Sequence, residues 1–200
     1  MRIIAGKYRG RKLKTPSSLQ TRPTSDRLRE TVFNILAPRI NGARFLDLCA
    51  GSGAVGIEAL SRGAAHATFV DRSRKMYALI ETNLKALEID EDEVYVVNSE
   101  AQAFMHKCAK KQTKPSLTVG LLPRFAPFDI VFFDPPYAMD YEAVLDYIGE
   151  HSAELLTENG VVIVEHHRKK GLKEEFGALR RHRMLKQGDS CLSFYLSQMQ

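Results

Sequence analysis

Cysteine is scarce and scattered in this sequence. Cys49, Cys108 and Cys191 form no Cys-x-x-Cys pair, which argues against a zinc site and against a disulfide scaffold. No run approaches the roughly 18 apolar residues that span a membrane. The opening Met1-Arg-Ile-Ile-Ala-Gly-Lys-Tyr-Arg-Gly10 is basic but has no apolar signal stretch and no cleavage site, so a cytoplasmic location is expected. There is no internal repeat and no low-complexity tract. Acids are nearly missing from residues 1–30, where nine Arg and Lys stand against only Asp26 and Glu30. What remains is ordinary: 200 residues, 44% of them hydrophobic, enough for one domain with a real core and a small appendage.

The charge is uneven. Residues 1–30 carry +7, whereas the other 170 residues hold 20 basic and 22 acidic side chains. Basicity confined to one end of a near-neutral domain is the footprint of a polyanion-binding segment. Glycines and apolar residues alternate with the charges there, as in a structured hairpin. Arg9, Arg11, Lys12 and Lys14 are the candidate phosphate contacts.

The patterning predicts extended pieces at Arg2–Ala5 and Arg11–Lys14, joined by turns at Gly6 and Gly10. A helix capped by Thr24 or Ser25 follows, with Asp26 in its first turn and Leu28, Val32, Ile35 and Leu36 as its apolar face; Pro38 stops it. Strands and helices then alternate. Strands are expected at Arg44–Cys49, Ala65–Val70, Glu93–Val97, Phe128–Phe133 and Gly160–Val164. Helices are expected at Ala54–Arg62, Ser73–Leu87, Glu100–Ala109 and Tyr141–Glu150. Residues 110–127 interrupt the rhythm as an irregular insertion. His166 to Lys170 read as a basic loop after the fifth strand. Ala178–Leu185 and Cys191–Leu196 form a hairpin across Gln187-Gly188-Asp189. The expected fold is α/β: a Rossmann-like parallel sheet with a C-terminal antiparallel hairpin, plus a basic N-terminal hairpin and helix. Residues 1–40 are the extension and 41–200 the main domain.

Two loops carry the chemistry and are expected to face each other. Gly51-Ser-Gly53-Ala-Val-Gly56 fits G-x-G-x-x-G after a strand and at the opening of a helix. Asp71, at the end of the next strand, is placed to accept hydrogen bonds from a ribose diol. The glycines permit positive φ and remove the Cβ that would block a ligand. The pattern alone admits NAD(P) and S-adenosylmethionine. A carboxylate at Asp47, just before the turn, would repel a pyrophosphate and suit a cationic amino-acid group, which favours S-adenosylmethionine.

The second loop is Asp134-Pro135-Pro136-Tyr137. Two prolines fix the backbone, so the Asp134 carboxylate and the Pro135 carbonyl can be aimed at one point. Two acceptors at one point suit a planar –NH2 group, and Tyr137 offers a face for stacking on its heterocycle. The lone pair of an aryl amine is delocalised into the ring. Acceptors on both N–H groups favour a pyramidal nitrogen whose lone pair can attack a methyl group in line with a sulfonium. The four residues are the candidate catalytic set.

Asp47-x-x-x-Gly51-x-Gly53 followed by Asp134-Pro-Pro-Tyr137 resembles the amino-group N-methyltransferases that use S-adenosylmethionine. The Met1–Leu13 opening, Arg22-Pro-Thr-Ser-Asp-Arg-Leu-Arg-Glu-Thr-Val-Phe-Asn34 and Gly51-Ser-Gly-Ala-Val-Gly-Ile-Glu-Ala-Leu-Ser-Arg-Gly63 are similar to the RsmD family across nearly the whole chain. That resemblance implies a class I methyltransferase fold and methylation of N2 of guanine 966 in 16S ribosomal RNA. It implies S-adenosylmethionine at Asp47, Gly51, Gly53 and Asp71, the guanine amine at Asp134–Tyr137, and closure over the site by Thr24, Arg27 and Glu30. The family has an Asp for the adenine amine near the end of the third strand; here Glu100 stands within Asn98-Ser-Glu-Ala101, so Glu100 and Ala101 take that role. The 110–127 segment is longer and more basic than the family's. The implied partner is 16S ribosomal RNA in the small subunit or its assembly intermediate, bound by a monomer without metal or membrane. Adenine-N6 methyltransferases share the second loop and are the nearest rival. Glutamine methyltransferases carry Asn-Pro-Pro-Tyr instead. An NAD(P) oxidoreductase and a non-catalytic RNA-binding protein are the rivals from other classes. Cys49, in the cofactor loop, reads as a small packed residue and not as a nucleophile.

Overall fold

The computed structural model describes residues 1–16, 26–112, 127–136 and 139–198. Residues Met1–Ser99 and Glu100–Gln200 form two compact units.

In the first unit, three short apolar runs become parallel strands: β1 (Arg44–Leu48), β2 (His66–Asp71) and β3 (Val94–Asn98), in the order β3-β2-β1. Phe45, Leu46, Leu48, Phe69 and Val70 are fully buried between layers. Helix α1 (Asp26–Leu36) precedes them, α2 (Ala54–Ser61) connects β1 to β2, and α3 (Arg74–Ala86) connects β2 to β3. A 3-10 turn, Glu91–Glu93, leads into β3.

Every residue of α2 is buried, as its sequence AVGIEALS, apolar nearly all round, requires. One side packs on the sheet, where a Cβ at Gly56 would stand 2.3 Å from the Phe69 ring. The other side is covered by the N-terminal segment. Its two extended pieces meet in one antiparallel bridge, Arg2 to Lys12, so the expected hairpin is a pair of turns and not a ladder. Ile3 N–H donates to the Arg11 carbonyl at 3.0 Å, and Gly6 and Gly10 take φ of +82° and +81°. A Cβ at Gly6 would collide with the Ser61 carbonyl, which accepts from Lys7 N–H at 2.7 Å.

Glu58 explains why this cover holds. It is 0% exposed in the middle of α2, and a buried carboxylate must be paired. Its oxygens accept from Ile4 N–H at 2.8 Å, Ala5 N–H at 3.0 Å and Arg62 Nε at 2.7 Å. Arg29 of α1, itself 1% exposed, lies 3.8 Å away and donates to the Arg2 carbonyl and to Asp26.

In the second unit the strand order is β4-β5-β8-β7-β6. β4 (Phe128–Phe133) pairs parallel with β5 (Leu156–His167), and β8 (Ser190–Ser197), β7 (Leu179–Gln187) and β6 (Glu175–Phe176) follow antiparallel. Helices α4 (Ala101–Gln112), α5 (Tyr141–Glu150) and α6 (Ser152–Leu155) complete it. The hairpin turn is Gly188-Asp189, with Gly188 at φ +61°. β5 is longer than its apolar centre implies. It starts at Leu156, with a register irregularity before Ile130, and runs on through His166 and His167 because β8 continues opposite them. His166 is therefore buried, with Nε2 2.9 Å from Ser193 Oγ, and burial lowers its pKa. The basic loop expected at His166–Lys170 begins only after His167.

Candidate active site

β1 and β2 end side by side, and the turn after β1 is held by β2. Cys49 N–H and Ala50 N–H both donate to the Val70 carbonyl at 2.9 Å. Cys49, Gly51 and Gly53 all take positive φ, at 74°, 55° and 77°. Cys49 is the only one of the three with a Cβ, so backbone strain is stored at this turn. Gly51 N–H donates to Asp71 Oδ2 at 2.9 Å, and Ser73 N–H donates to Asp71 Oδ1 at 2.8 Å. Asp71 thus fixes the turn and the start of α3 together. A Cβ built at Gly51 meets nothing within 4 Å, while one at Gly53 meets Ile80 and one at Gly56 meets Phe69. The first glycine borders open space and the other two serve close packing. An open backbone turn beside a carboxylate fits a nucleoside-bearing cofactor at Gly51 and Asp71.

Asp47 is placed differently from a simple surface acceptor. It is 2% exposed, and its Oδ2 accepts from Gly56 N–H in the first turn of α2 at 2.8 Å. Burial, opposed by that hydrogen bond and reinforced by Asp71, pushes its pKa up to about 7. It ties β1 to α2 before it does anything for a ligand.

In the second unit, β4 delivers Asp134, which is half-buried, then Pro135, buried, and Pro136, exposed. Tyr137 lies outside the described residues, as does Thr24. The Pro135 carbonyl accepts from the Tyr141 hydroxyl at 3.2 Å, and the Pro136 carbonyl from Met139 N–H at 2.8 Å. The carbonyl expected to meet an amine is therefore already engaged by a hydroxyl. Asp140 caps α5 by accepting from Glu142 and Ala143 N–H, which seats Tyr141 at the helix start. Lys170 Nζ lies 3.6 Å from the Tyr141 ring centroid. Glu100 is exposed just before α4, and Ala101, its first residue, is buried.

Arg9, Arg11, Lys12 and Lys14 are exposed on one segment, and Arg27 and Glu30 are exposed on α1. Arg11 Nη2 donates to the Ala86 carbonyl at 2.8 Å, the C-terminal end of α3, so it is a helix cap as well as a surface cation. Among the described residues no group of three or more His, Cys, Asp and Glu could hold a metal ion, and no helix is long and apolar enough to cross a membrane.

Sequence reasoning missed Glu58, Arg29, Asn83 and Tyr141. Two of them left a signal. Glu58 is the one charge in an apolar helix, and Asn83 is a polar residue within the apolar stripe of α3.

The family described as "Conserved hypothetical protein 95" matches residues 1–196. Ribosomal RNA small subunit methyltransferase D of Escherichia coli is 42% identical over 160 residues, which cover 80% of this chain and 68% of that protein. YlbH of Bacillus subtilis is 39% identical over 180 residues, covering 90% and 89%. The solved structure of the Escherichia coli protein yhhF superposes with a TM-score of 0.80 at 34% identity, covering 100% of this chain and 99% of that one. An RNA methyltransferase from Salinibacter ruber, solved with S-adenosyl-L-homocysteine, shares the fold at a TM-score of 0.60 and 11% identity, covering 90% and 95%.

Proposed function

The chain belongs to the conserved hypothetical protein 95 family, the RsmD family, and from that premise we propose that it methylates the N2 amine of guanine 966 in 16S ribosomal RNA, using S-adenosylmethionine. The observation that carries the reading is the Asp134-Pro135-Pro136 turn at the end of β4, with half-buried Asp134 followed directly by the Pro135 carbonyl. The open side of Gly51 and the carboxylate of Asp71 support the cofactor assignment.

S-adenosylmethionine supplies an electrophilic methyl group on a sulfonium. Gly51 and Gly53 let the backbone approach it, Asp71 accepts from its ribose hydroxyls, Asp47 offers Oδ1 to its cationic end, and Glu100 and Ala101 meet its adenine. Asp134 Oδ and the Pro135 carbonyl accept the two N–H groups of the guanine amine, and Tyr137 stacks on the base. The amine proton becomes acidic once the nitrogen is alkylated, so Asp134 needs no raised basicity to take it. Residues 1–40 face the RNA and 41–200 carry the chemistry. Arg9, Arg11, Lys12 and Lys14 contact phosphates, and Thr24, Arg27 and Glu30 close over the base. The same reading makes the enzyme a cytoplasmic monomer acting on the small subunit or its assembly intermediate.

Small subunits lacking the modification, incubated with labelled S-adenosylmethionine and digested for nucleoside mass spectrometry, test this directly. N2-methylguanosine is expected, and it should disappear with Asp134→Ala. N6-methyladenosine would keep the mechanism and replace the substrate. No methylated nucleoside despite tight S-adenosylhomocysteine binding would move the acceptor to a protein or small amine.

A further inference from the structure

We infer that Asn83 is a positioning residue that couples cofactor binding at the Gly51–Gly53 turn to docking of the basic N-terminal segment. The inference rests on the cofactor reading of that turn. Asn83 lies between Ile80 and Leu84 on the buried side of α3 and is 2% exposed. Its Oδ1 accepts from Lys14 N–H at 2.8 Å. Its Nδ2 donates to the Lys14 carbonyl at 3.0 Å and to the Ser52 carbonyl at 3.0 Å. The partners fix the amide's orientation, since Lys14 N–H can only donate and both carbonyls can only accept.

The contact with Lys14 is two-point, the way one backbone pairs with another. The contact with Ser52 reaches the tip of the glycine turn. Asp71 holds Gly51 N–H on one side and Asn83 holds the Ser52 carbonyl on the other, so the residues bordering open space are bracketed. Both amide hydrogens are in use, one on each segment. A shift of the turn therefore acts on Lys14, and a shift of Lys14 acts on the turn. Lys14 ends the run that holds Arg9, Arg11 and Lys12. Such coupling is reciprocal: a cofactor that orders the turn tightens the segment, and a polyanion that holds the segment raises cofactor affinity. Asp at position 83 keeps the shape but faces both carbonyls with no hydrogen to donate, and Leu leaves all three backbone groups unpaired.

Amide exchange in the full chain, followed by NMR with and without saturating S-adenosylhomocysteine, tests the inference. In the wild-type chain the ligand is expected to slow exchange at Lys14 about tenfold. In Asn83→Asp that slowing should vanish and ligand affinity should fall about tenfold, the effect of losing the buried hydrogen bond to the Ser52 carbonyl of the turn. A purely structural Asn83 would give faster Lys14 exchange and lower thermal stability in the variant, with no dependence on ligand in either protein; that pattern overturns the inference. Ligand binding to the wild-type chain with Lys14 unmoved overturns it alone. No ligand binding to the wild-type chain overturns the cofactor reading, and the inference falls with it. The wild-type comparison needs no variant, so it stands even where Asn83→Asp does not fold.

Discussion

Asp47 is buried near the end of β1 and accepts a hydrogen bond from Gly56 N–H. Asp47 was legible as an acid before a glycine turn, but its bond to Gly56 N–H depends on how α2 leaves the turn. Its pKa of about 7, against an ordinary 3.8, means that the folded chain holds this proton more tightly than the unfolded chain does. Its contribution to stability therefore falls as pH rises from about 4 to about 7. Asp47→Asn should flatten that slope in denaturant titrations, be the more stable protein above pH 7, and bind S-adenosylhomocysteine more weakly. An unchanged slope would remove Asp47 as its source. Tyr141 left no signal, because its hydroxyl reaches back six residues to a carbonyl that the sequence had assigned to a ligand. Tyr141→Phe keeps the ring on Phe133 and under Lys170. It should cost about 1 kcal/mol of stability and lower kcat while leaving the KM for RNA unchanged, as steady-state kinetics would show.

Among the elements, the periodic ones were read almost to the residue, and β4 and α5 coincide with expectation. Their apolar runs are bounded by glycine, proline or acid, so local signals sufficed. β5 and β6 were not legible in full. The strand was expected to begin at Gly160, yet Leu156 to Asn159 are drawn into it by Phe128 and by the Thr157 hydroxyl on Asp129. His166 reads as a loop residue, yet Ser193 partners it from a strand 27 positions away. Helix α2 is buried along its whole length. Gly56→Ala brings a methyl group against a fully buried Phe69 ring, and calorimetry should show a loss of about 1–3 kcal/mol despite Ala's better helix propensity. Glu58→Gln keeps the shape but leaves Arg29 with less compensation, and should cost about 3 kcal/mol or more.

For the whole molecule, the α/β class was written in the sequence, and so was the charge asymmetry. Arg9→Glu and Lys12→Glu should weaken RNA binding across sequences and reduce the slope of log affinity against log salt by about one per lost phosphate contact. Filter binding at several salt concentrations measures this, and an unchanged slope would leave the basic segment without its proposed partner. Arg11→Glu should additionally lower thermal stability, because that side chain also caps α3.

The contact between the N-terminal segment and α2 also sets an order of events during synthesis. Ile4 meets its acceptor 54 residues later in the chain, and Tyr8 meets Ser61 53 residues later. At about 5–20 residues per second, a ribosome takes roughly 3–10 s to make that interval. Throughout it, a cationic peptide is exposed without the groups it will rest on. Nascent chains halted before Glu58 emerges should therefore keep a protease-sensitive tail, and chains halted well after Ser61 a protected one.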